Sequence, residues 1–279
     1  MSRRPRPVRE VGSGAIALLI AGVVFVVPFA FMILIAAKDR AEASRLEFSA
    51  PDEWQLLENL QAVLASSNGV MVTALRNSIV LTVASVTLIV VLSSMVAFVL
   101  QRRRDRTGAA VGLLLLAGLI LPPALVPTIF TLQVTGLFKT LLGLILVEVV
   151  LLMPFAVLIF RTFMTAIPRE LDEAAIIDGA GPFSLFFRVI FPLLRPAMIT
   201  VIVVASIAIY NDFVNPLYFL PGAGNATVQL TLFDFQSQFN TRWNLLFADV
   251  LFITIPPMIM FIFFQRQIVS GMTTGAVKG

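Results

Sequence analysis

Six runs of apolar residues constrain the fold of this chain more than any other feature of its sequence. They cover residues 14–37, 77–100, 109–131, 142–160, 198–220 and 248–264. A helix needs ~20 apolar residues to cross a bilayer, and it satisfies its own backbone hydrogen bonds in lipid. Because 58% of the residues are hydrophobic and only 13% are charged, one soluble core could not bury them. The sequence predicts an all-α polytopic membrane protein with six transmembrane helices.

The basic residues predict the orientation of these helices. If the N-terminus lies inside the cell, all but six of the 20 Lys and Arg residues fall on the inner side. The six exceptions are Lys38, Arg40, Arg45, Arg76, Lys139 and Arg242. Since basic residues accumulate in cytoplasmic loops, we expect both termini and residues 161–197 in the cytoplasm. The pI of about 10.1 follows from this asymmetry and needs no nucleic-acid partner.

The absence of two residue types narrows the chemistry of the chain. It has no His and no Cys, so we expect no metal site, no thiol catalysis and no histidine proton relay. It also lacks the G-x-x-x-x-G-K-[ST] pattern that cradles nucleotide phosphates. The sequence therefore predicts a non-catalytic chain without a cofactor of its own.

Residues 169–196 form a long, partly polar insertion on the predicted cytoplasmic side. Acidic residues near its start favour a helix N-terminus, and Gly179 favours the end of that helix. A second helix is expected from Pro182, stopped by Pro192 and Pro196 before the fifth span. The pattern predicts a helix-turn-helix at the inner face of the membrane.

This hairpin has two interpretations. It could only space the fourth and fifth spans, or it could dock into a groove of another protein. Ala174 and Ala175 give a low tip suited to close insertion, while Phe183, Phe186 and Phe187 can anchor its base in lipid or protein. These details favour docking.

The hairpin resembles the cytoplasmic loop of the inner-membrane permease subunits of binding-protein-dependent ABC importers. That loop carries Glu-Ala-Ala, three residues, Gly, nine residues, Ile, one residue and Leu-Pro. The matching positions are Glu173, Ala174, Ala175, Gly179, Val189, Phe191 and Pro192, with Asp178 and Ala180 extending the match. Val189 for Ile and Phe191 for Leu are conservative departures. The resemblance implies a type I ABC importer permease fold in which residues 173–180 are a cytoplasmic coupling helix.

The resemblance covers about residues 72–279 and is sharper toward the carbohydrate subgroup, in particular the second permease of maltose-type heterodimers. The run 211–217 and the tail 271–279 carry it. It implies a sugar or related polyhydroxy solute, and a multi-pass protein of the bacterial inner membrane. The implied partners are a cytoplasmic ATPase dimer that binds the ATP, a second and nonidentical permease, and an extracytoplasmic solute-binding protein. In this subgroup the tail reaches the ATPase pair, which would make Lys278 a second contact.

The chain is expected to have three parts. Residues 1–71 hold the N-terminal segment, the first span and an external cap. Residues 72–265 form the permease core, with the coupling loop at 168–196. Residues 266–279 are the cytoplasmic tail.

Polar residues within the predicted spans are the candidates for a solute path. Asn211, Asn215 and Tyr218 recur at i, i+4 and i+7, which would place them on one helical face. They could bond a hydroxyl-rich solute or bond neighbouring helices. Glu148 lies at a similar expected depth, and carboxylates such as Glu148 and Asp212 also suit an ion-coupled secondary transporter. The docking hairpin argues against that alternative.

Overall fold

The computed structural model describes residues 8–103, 105–236 and 241–276. All regular secondary structure in these ranges is helical, which confirms the predicted all-α class. The chain divides into two compact units. The first holds the residues up to Met71 together with Thr231–Thr254, and the second holds Val72–Leu230 together with the residues from Ile255 onward.

The helices vary widely in length, from single turns to elements longer than a bilayer is thick. In chain order they are α1 (Val8–Ala36), α2 (Arg40–Ala43), α3 (Leu56–Ala65), α4 (Val70–Arg102), α5 (Arg106–Ile120), α6 (Leu125–Val134), α7 (Leu141–Met164), α8 (Glu170–Ile177), α9 (Pro182–Leu193), α10 (Arg195–Tyr210), α11 (Val214–Phe219), α12 (Val228–Phe235) and α13 (Trp243–Ala276).

In the first unit, polar contacts fasten α3 beside the end of α1. The Asn59 amide nitrogen donates to the carbonyl oxygens of Ala36 and Lys38, each at 2.9 Å. Its amide oxygen accepts from Asn244 at 2.8 Å. The Lys38 side chain is fully buried and donates to the Glu47 carbonyl oxygen at 2.9 Å. Because every buried donor of this set has a partner, the segment is held in one arrangement.

In the second unit, α7 is the central helix. It packs against α5, α10 and α11. Leu144, Val157 and Phe160 of α7 are fully buried, as are Ala197 and Val201 of α10. Small residues facing large ones allow two helices to approach closely, which is how helices associate in lipid.

The predicted six transmembrane helices are not confirmed as straight spans. Only α4, α7 and Trp243–Gln265 of α13 are long and apolar enough to cross a membrane alone. The pairs α5–α6 and α9–α10 pass the same test as bent pairs, with bends of 116° and 77°. Up to five spans are thus found in the described part of the chain. The first predicted run lies in α1 (Val8–Ala36), which has 29 residues.

The predicted third span, 109–131, is bent because two prolines interrupt its helix. Pro122 and Pro123 offer no backbone N–H, and a proline pushes the preceding residue into extended conformation. Leu121 has φ −74° and ψ 130°, as this rule requires. The chain therefore leaves α5 at Ile120 and turns sharply into α6.

The predicted fifth span, 198–220, is also interrupted. Helix α10 has 16 residues, which at 1.5 Å per residue is about 24 Å and less than a bilayer core. It ends at Tyr210, and a new helix begins at Val214. The Asp212 carboxylate accepts from the backbone N–H of Val214 at 2.9 Å, which stabilises the start of the second helix.

Candidate coupling hairpin and solute path

Helix α8 is the first half of the predicted hairpin. Its first turn contains Glu170, Asp172 and Glu173, whose negative charges favour a helix N-terminus. At its end, the Ala180 N–H donates to the Ala175 carbonyl oxygen at 2.9 Å, and the Gly179 N–H donates to Ile176 at 3.0 Å. These two bonds are a Schellman motif, which needs a left-handed residue at its centre. Gly179 supplies it with φ +83°.

Helix α9 is the second half, and it continues through Pro192. Leu185–Ile190 is wound as a π-helix, after which α-helix resumes at Phe191–Leu193. In a π-helix each hydrogen bond spans five residues instead of four. This change of spacing comes just before Pro192, which has no backbone N–H to donate. Pro196 lies in the first turn of α10, a position that suits proline. The second helix thus ends at Leu193, between Pro192 and Pro196 and before α10, as expected.

The aromatic residues of the hairpin divide into a buried and an exposed set. Phe186 is buried and its ring centroid lies 5.6 Å from that of Phe98 in α4. Ile176, Ile177 and Phe183 are 61%, 85% and 71% exposed. Helix α8 thus presents an apolar tip that no described residue of the chain covers. Contiguous exposed apolar side chains usually mark a surface for another protein or for lipid.

An ion pair joins α8 to the end of α4. Arg102 Nε lies 2.6 Å from Asp172 Oδ2, and Arg102 Nη2 lies 3.1 Å from Oδ1. Both side chains are largely buried, at 17% and 13% exposure. Arg169 adds donors from the loop before α8, with Nη2 at 3.4 Å from the Gln101 carbonyl oxygen. Asp172 accepts one charge-assisted hydrogen bond, from Arg102 Nη2, and this contact joins the start of α8 to the end of α4.

The predicted coupling residues other than Lys278 lie in α8, in the turn after it and in α9. Glu173, Ala174, Asp178, Gly179 and Pro192 are exposed, and Ala175 packs against the core of the second unit. Ala180 is half-buried. Lys278 lies outside the described residues.

Two of the four predicted solute-path residues form a pair. The Asn215 amide nitrogen donates to Glu148 Oε1 at 3.1 Å. Glu148 is buried at 3% exposure in α7. The contact therefore connects α7 to α11, just after the break in the predicted fifth span. Such an arrangement binds helices to one another and leaves little of Glu148 for a solute.

Asn211 and Tyr218 do not join this group. The prediction of one helical face is wrong, because the helix ends before Asn211 and restarts after it. Asn211 instead accepts from Gln229 Nε2 at 3.2 Å and donates to the Ile207 carbonyl oxygen at 3.0 Å. Tyr218 is 46% exposed.

A pair of adjoining pockets was not foreseen from the sequence. One, of about 130 Å³, lies between α4, α10 and the Pro256–Pro257 step of α13. The other, of about 360 Å³, continues along α4 and α10. Thr82 and Ser206 line both. A single Ser or Thr in an apolar span does not indicate a pocket, because its hydroxyl group can hydrogen-bond to a backbone carbonyl oxygen of the same helix.

The family is evident from comparison with known proteins. The chain belongs to the family of binding-protein-dependent transport system inner membrane components, whose profile matches residues 89–274. This matched range contains the hairpin and the Glu148–Asn215 pair.

Individual relatives align over most of the chain. A diacetylchitobiose uptake system permease protein of Streptomyces coelicolor (strain ATCC BAA-471 / A3(2) / M145) is 29% identical over 265 residues, covering 94% of this chain and 87% of that protein. A trehalose transport system permease protein of Mycobacterium tuberculosis (strain CDC 1551 / Oshkosh) is 35% identical over 215 residues, covering 74% and 77%.

A solved structure shares the fold. A chain in the crystal structure of a bacterial ABC transporter involved in the import of the acidic polysaccharide alginate matches with a TM-score of 0.79. The match covers 95% of this chain and 99% of that one at 18% identity. The predicted ABC importer permease fold is therefore confirmed, and nothing found supports the ion-coupled alternative.

Proposed function

We propose that this chain is the membrane-spanning permease subunit of an ATP-driven importer, and that it forms half of the path for a sugar or related polyhydroxy solute. The observation that carries this proposal is the exposed hairpin tip in a chain of this family. The relatives named for diacetylchitobiose and trehalose uptake support a small sugar as the solute.

Helix α8 is the proposed contact to a cytoplasmic ATPase dimer. Its exposed Ile176 and Ile177 fit an apolar cleft, and the small Ala174 allows close approach. Closure of the ATPase dimer on ATP would displace α8, and the Arg102–Asp172 pair would pass that displacement to α4. A ligand drives such a change only if its contacts differ between the two states, and a helix seated in a moving cleft meets this condition.

The pockets along α4 and α10 are the proposed wall of the solute path in this subunit. Thr82, Ser206 and Tyr210 are among the residues that line it. Asn211 and Tyr218 remain candidates at the outer end. Glu148 and Asn215 are assigned to the support of the helix break beside the path.

The remaining partners follow from the resemblance and the family. They are a second, nonidentical permease that supplies the other half of the path, and an extracytoplasmic solute-binding protein. The ATPase binds the ATP, and this chain performs no covalent chemistry. The proposed location is the bacterial inner membrane with both termini in the cytoplasm. The division into residues 1–71, 72–265 and 266–279 belongs to the same proposal, as does a contact of Lys278 with the ATPase.

Uptake into proteoliposomes tests this function. The full chain is reconstituted with the subunits that copurify with it, and accumulation of labelled trehalose and diacetylchitobiose is measured. The proposal expects accumulation with ATP that is lost with a non-hydrolysable analogue and unchanged by a protonophore. Accumulation driven by an ion gradient without ATP would contradict it.

A further inference from the structure

A cluster of arginines lines a cavity at the α4–α5 and α7–α8 connections. The cavity has a volume of about 450 Å³, and Arg102, Arg103, Arg161 and Arg169 contribute to its wall. All four belong to the same compact unit. The coupling of α8 uses Arg102, and the other three have no part in it beyond the backbone contacts of Arg169.

The positive charge of this cavity is only partly compensated. Arg102 is paired with Asp172, and Arg103 reaches Asp105 at 3.8 Å with both side chains at least half exposed. An exposed pair at this distance contributes little and is screened by salt. Arg169 donates only to backbone carbonyl oxygens. Arg161 has no side-chain hydrogen bond or ion pair to any described residue. The cavity therefore favours an anion.

A groove with both polar and apolar lining opens from the same cavity. It has a volume of about 430 Å³ and shares Arg103 and Arg161 with the cavity. Leu113, Leu116 and Leu158 form its apolar part, and Asp105 also lines it. Leu113 and Leu116 are 69% and 46% exposed on α5. Gly112 leaves room in this groove, since a Cβ there would already contact Arg161 Nη1 at 3.6 Å.

We propose that this cavity and groove together bind an anionic phospholipid, with the phosphate among Arg103, Arg161 and Arg169 and an acyl chain along Leu113, Leu116 and Leu158. Guanidinium groups bind phosphate oxygens in fixed, often bidentate geometry. Basic pockets between transmembrane helices on the cytoplasmic side suit anionic headgroups. A free phosphate or an acidic protein segment would match the arginines but would leave the leucine groove unused. The occupied site would fix the α4–α5 connection relative to α7, next to the coupling hairpin.

Native mass spectrometry of the full chain in detergent, with the subunits that copurify with it, tests the site. The probes are phosphatidylglycerol and phosphatidylcholine with the same acyl chains. The intact chain is expected to retain phosphatidylglycerol in preference. Arg161→Gln and Arg169→Gln should each reduce that preference about five-fold, the effect of one basic residue near an anionic surface. Arg161→Lys should keep most of it.

Two further variants separate this site from general charge effects. Arg76→Gln removes the same charge from the other end of α4 and should change nothing. Gly112→Leu fills the groove without altering charge, and should weaken phosphatidylglycerol retention. Glycerol 1-phosphate alone should not displace the lipid.

Three outcomes would overturn the proposal. The first is a lack of lipid preference at this site: the intact chain retains both lipids equally, or Arg76→Gln loses as much of the phosphatidylglycerol preference as Arg161→Gln does. The second is displacement of the lipid by glycerol 1-phosphate, which would assign the cavity to a free phosphate. The third is an unchanged lipid preference in Arg161→Gln with reduced recovery of the ATPase, which would assign it to protein contact.

Discussion

Arg102 at the end of α4 and Asp172 in the first turn of α8 form an ion pair, with Nε at 2.6 Å from Oδ2 and a hydrogen bond from Nη2 to Oδ1 at 3.1 Å. The two residues are 70 positions apart in the chain. The pair fixes the helix proposed to contact the ATPase to a helix that is long enough to cross the membrane.

Breaking this pair should uncouple the subunits. Arg102→Ala leaves the Asp172 carboxylate largely buried without its partner, at a cost of about 1.5–3 kcal/mol. We expect a lower melting temperature and ATP hydrolysis that no longer follows solute uptake. The exchange of Arg102→Asp with Asp172→Arg should restore part of both, reduced because a cation in the first turn of a helix is unfavourable. Arg76→Gln, which removes an exposed arginine from the same helix, is the stability control. No recovery in the exchanged pair would show that the contact has no coupling role.

Gly179 is required for its backbone conformation and not for space. Its φ is +83°, and no neighbouring atom lies within 4 Å of the position that a Cβ would take. Gly179→Ala should therefore destabilise the end of α8 by about 1–2 kcal/mol, the cost of a left-handed non-glycine residue. Gly181→Ala is the matched control, since Gly181 has φ −70° and equal open space. Solute uptake by the two variants is measured. Equal uptake would contradict the claim that the left-handed conformation of Gly179 is required.

The Glu148–Asn215 contact should be structural. Asn215→Ala removes the amide that donates to a buried carboxyl group, which costs about 1–3 kcal/mol. We expect a lower melting temperature with an unchanged half-saturation concentration for the solute. Tyr218→Phe, a change at an exposed side chain outside this contact, should leave the melting temperature unchanged. A large rise in half-saturation concentration for Asn215→Ala at normal stability would instead place Asn215 on the solute.

Local signals in the sequence were enough to predict the hairpin. The acidic residues that start α8 and the glycine that ends it, Gly179, affect only the backbone within a few residues. Their effect can therefore be predicted without knowing the tertiary structure. Pro122 and Pro123 indicate the break in the third span directly from the sequence. The break in the fifth span was missed because hydrophobicity was given more weight than Asp212. Apolar content decides whether a segment enters lipid, whereas the backbone hydrogen bonds decide whether it stays one helix.

Contacts distant in sequence could not be predicted. In the sequence, Arg102 was used only to predict the orientation of the helices, and Asp172 only to predict the start of a helix. Neither use indicates that the two residues contact each other. Likewise, Glu148 and Asn215 are 67 positions apart. Their pairing depends on where α11 begins, which the predicted continuous helix placed incorrectly.

The orientation in the membrane is directly testable because the chain has no cysteine. A single cysteine can be introduced at exposed Ala41 or exposed Gly181. Since basic residues favour the cytoplasmic side, a membrane-impermeant maleimide should label Ala41→Cys in intact cells. It should label Gly181→Cys only after permeabilisation. The reverse pattern would invert the proposed topology.

Recovery of the ATPase with the purified chain tests the central claim most directly. Ile177 is 85% exposed at the tip of α8, and Val134 is 89% exposed at the end of α6. We expect Ile177→Asp, or removal of residues 173–179, to reduce ATPase recovery at least about ten-fold, equivalent to ~1.4 kcal/mol of binding. Val134→Asp should recover as much ATPase as the intact chain. Equal recovery from the intact chain, Ile177→Asp and the chain lacking 173–179 would contradict the assignment of this hairpin as the coupling element.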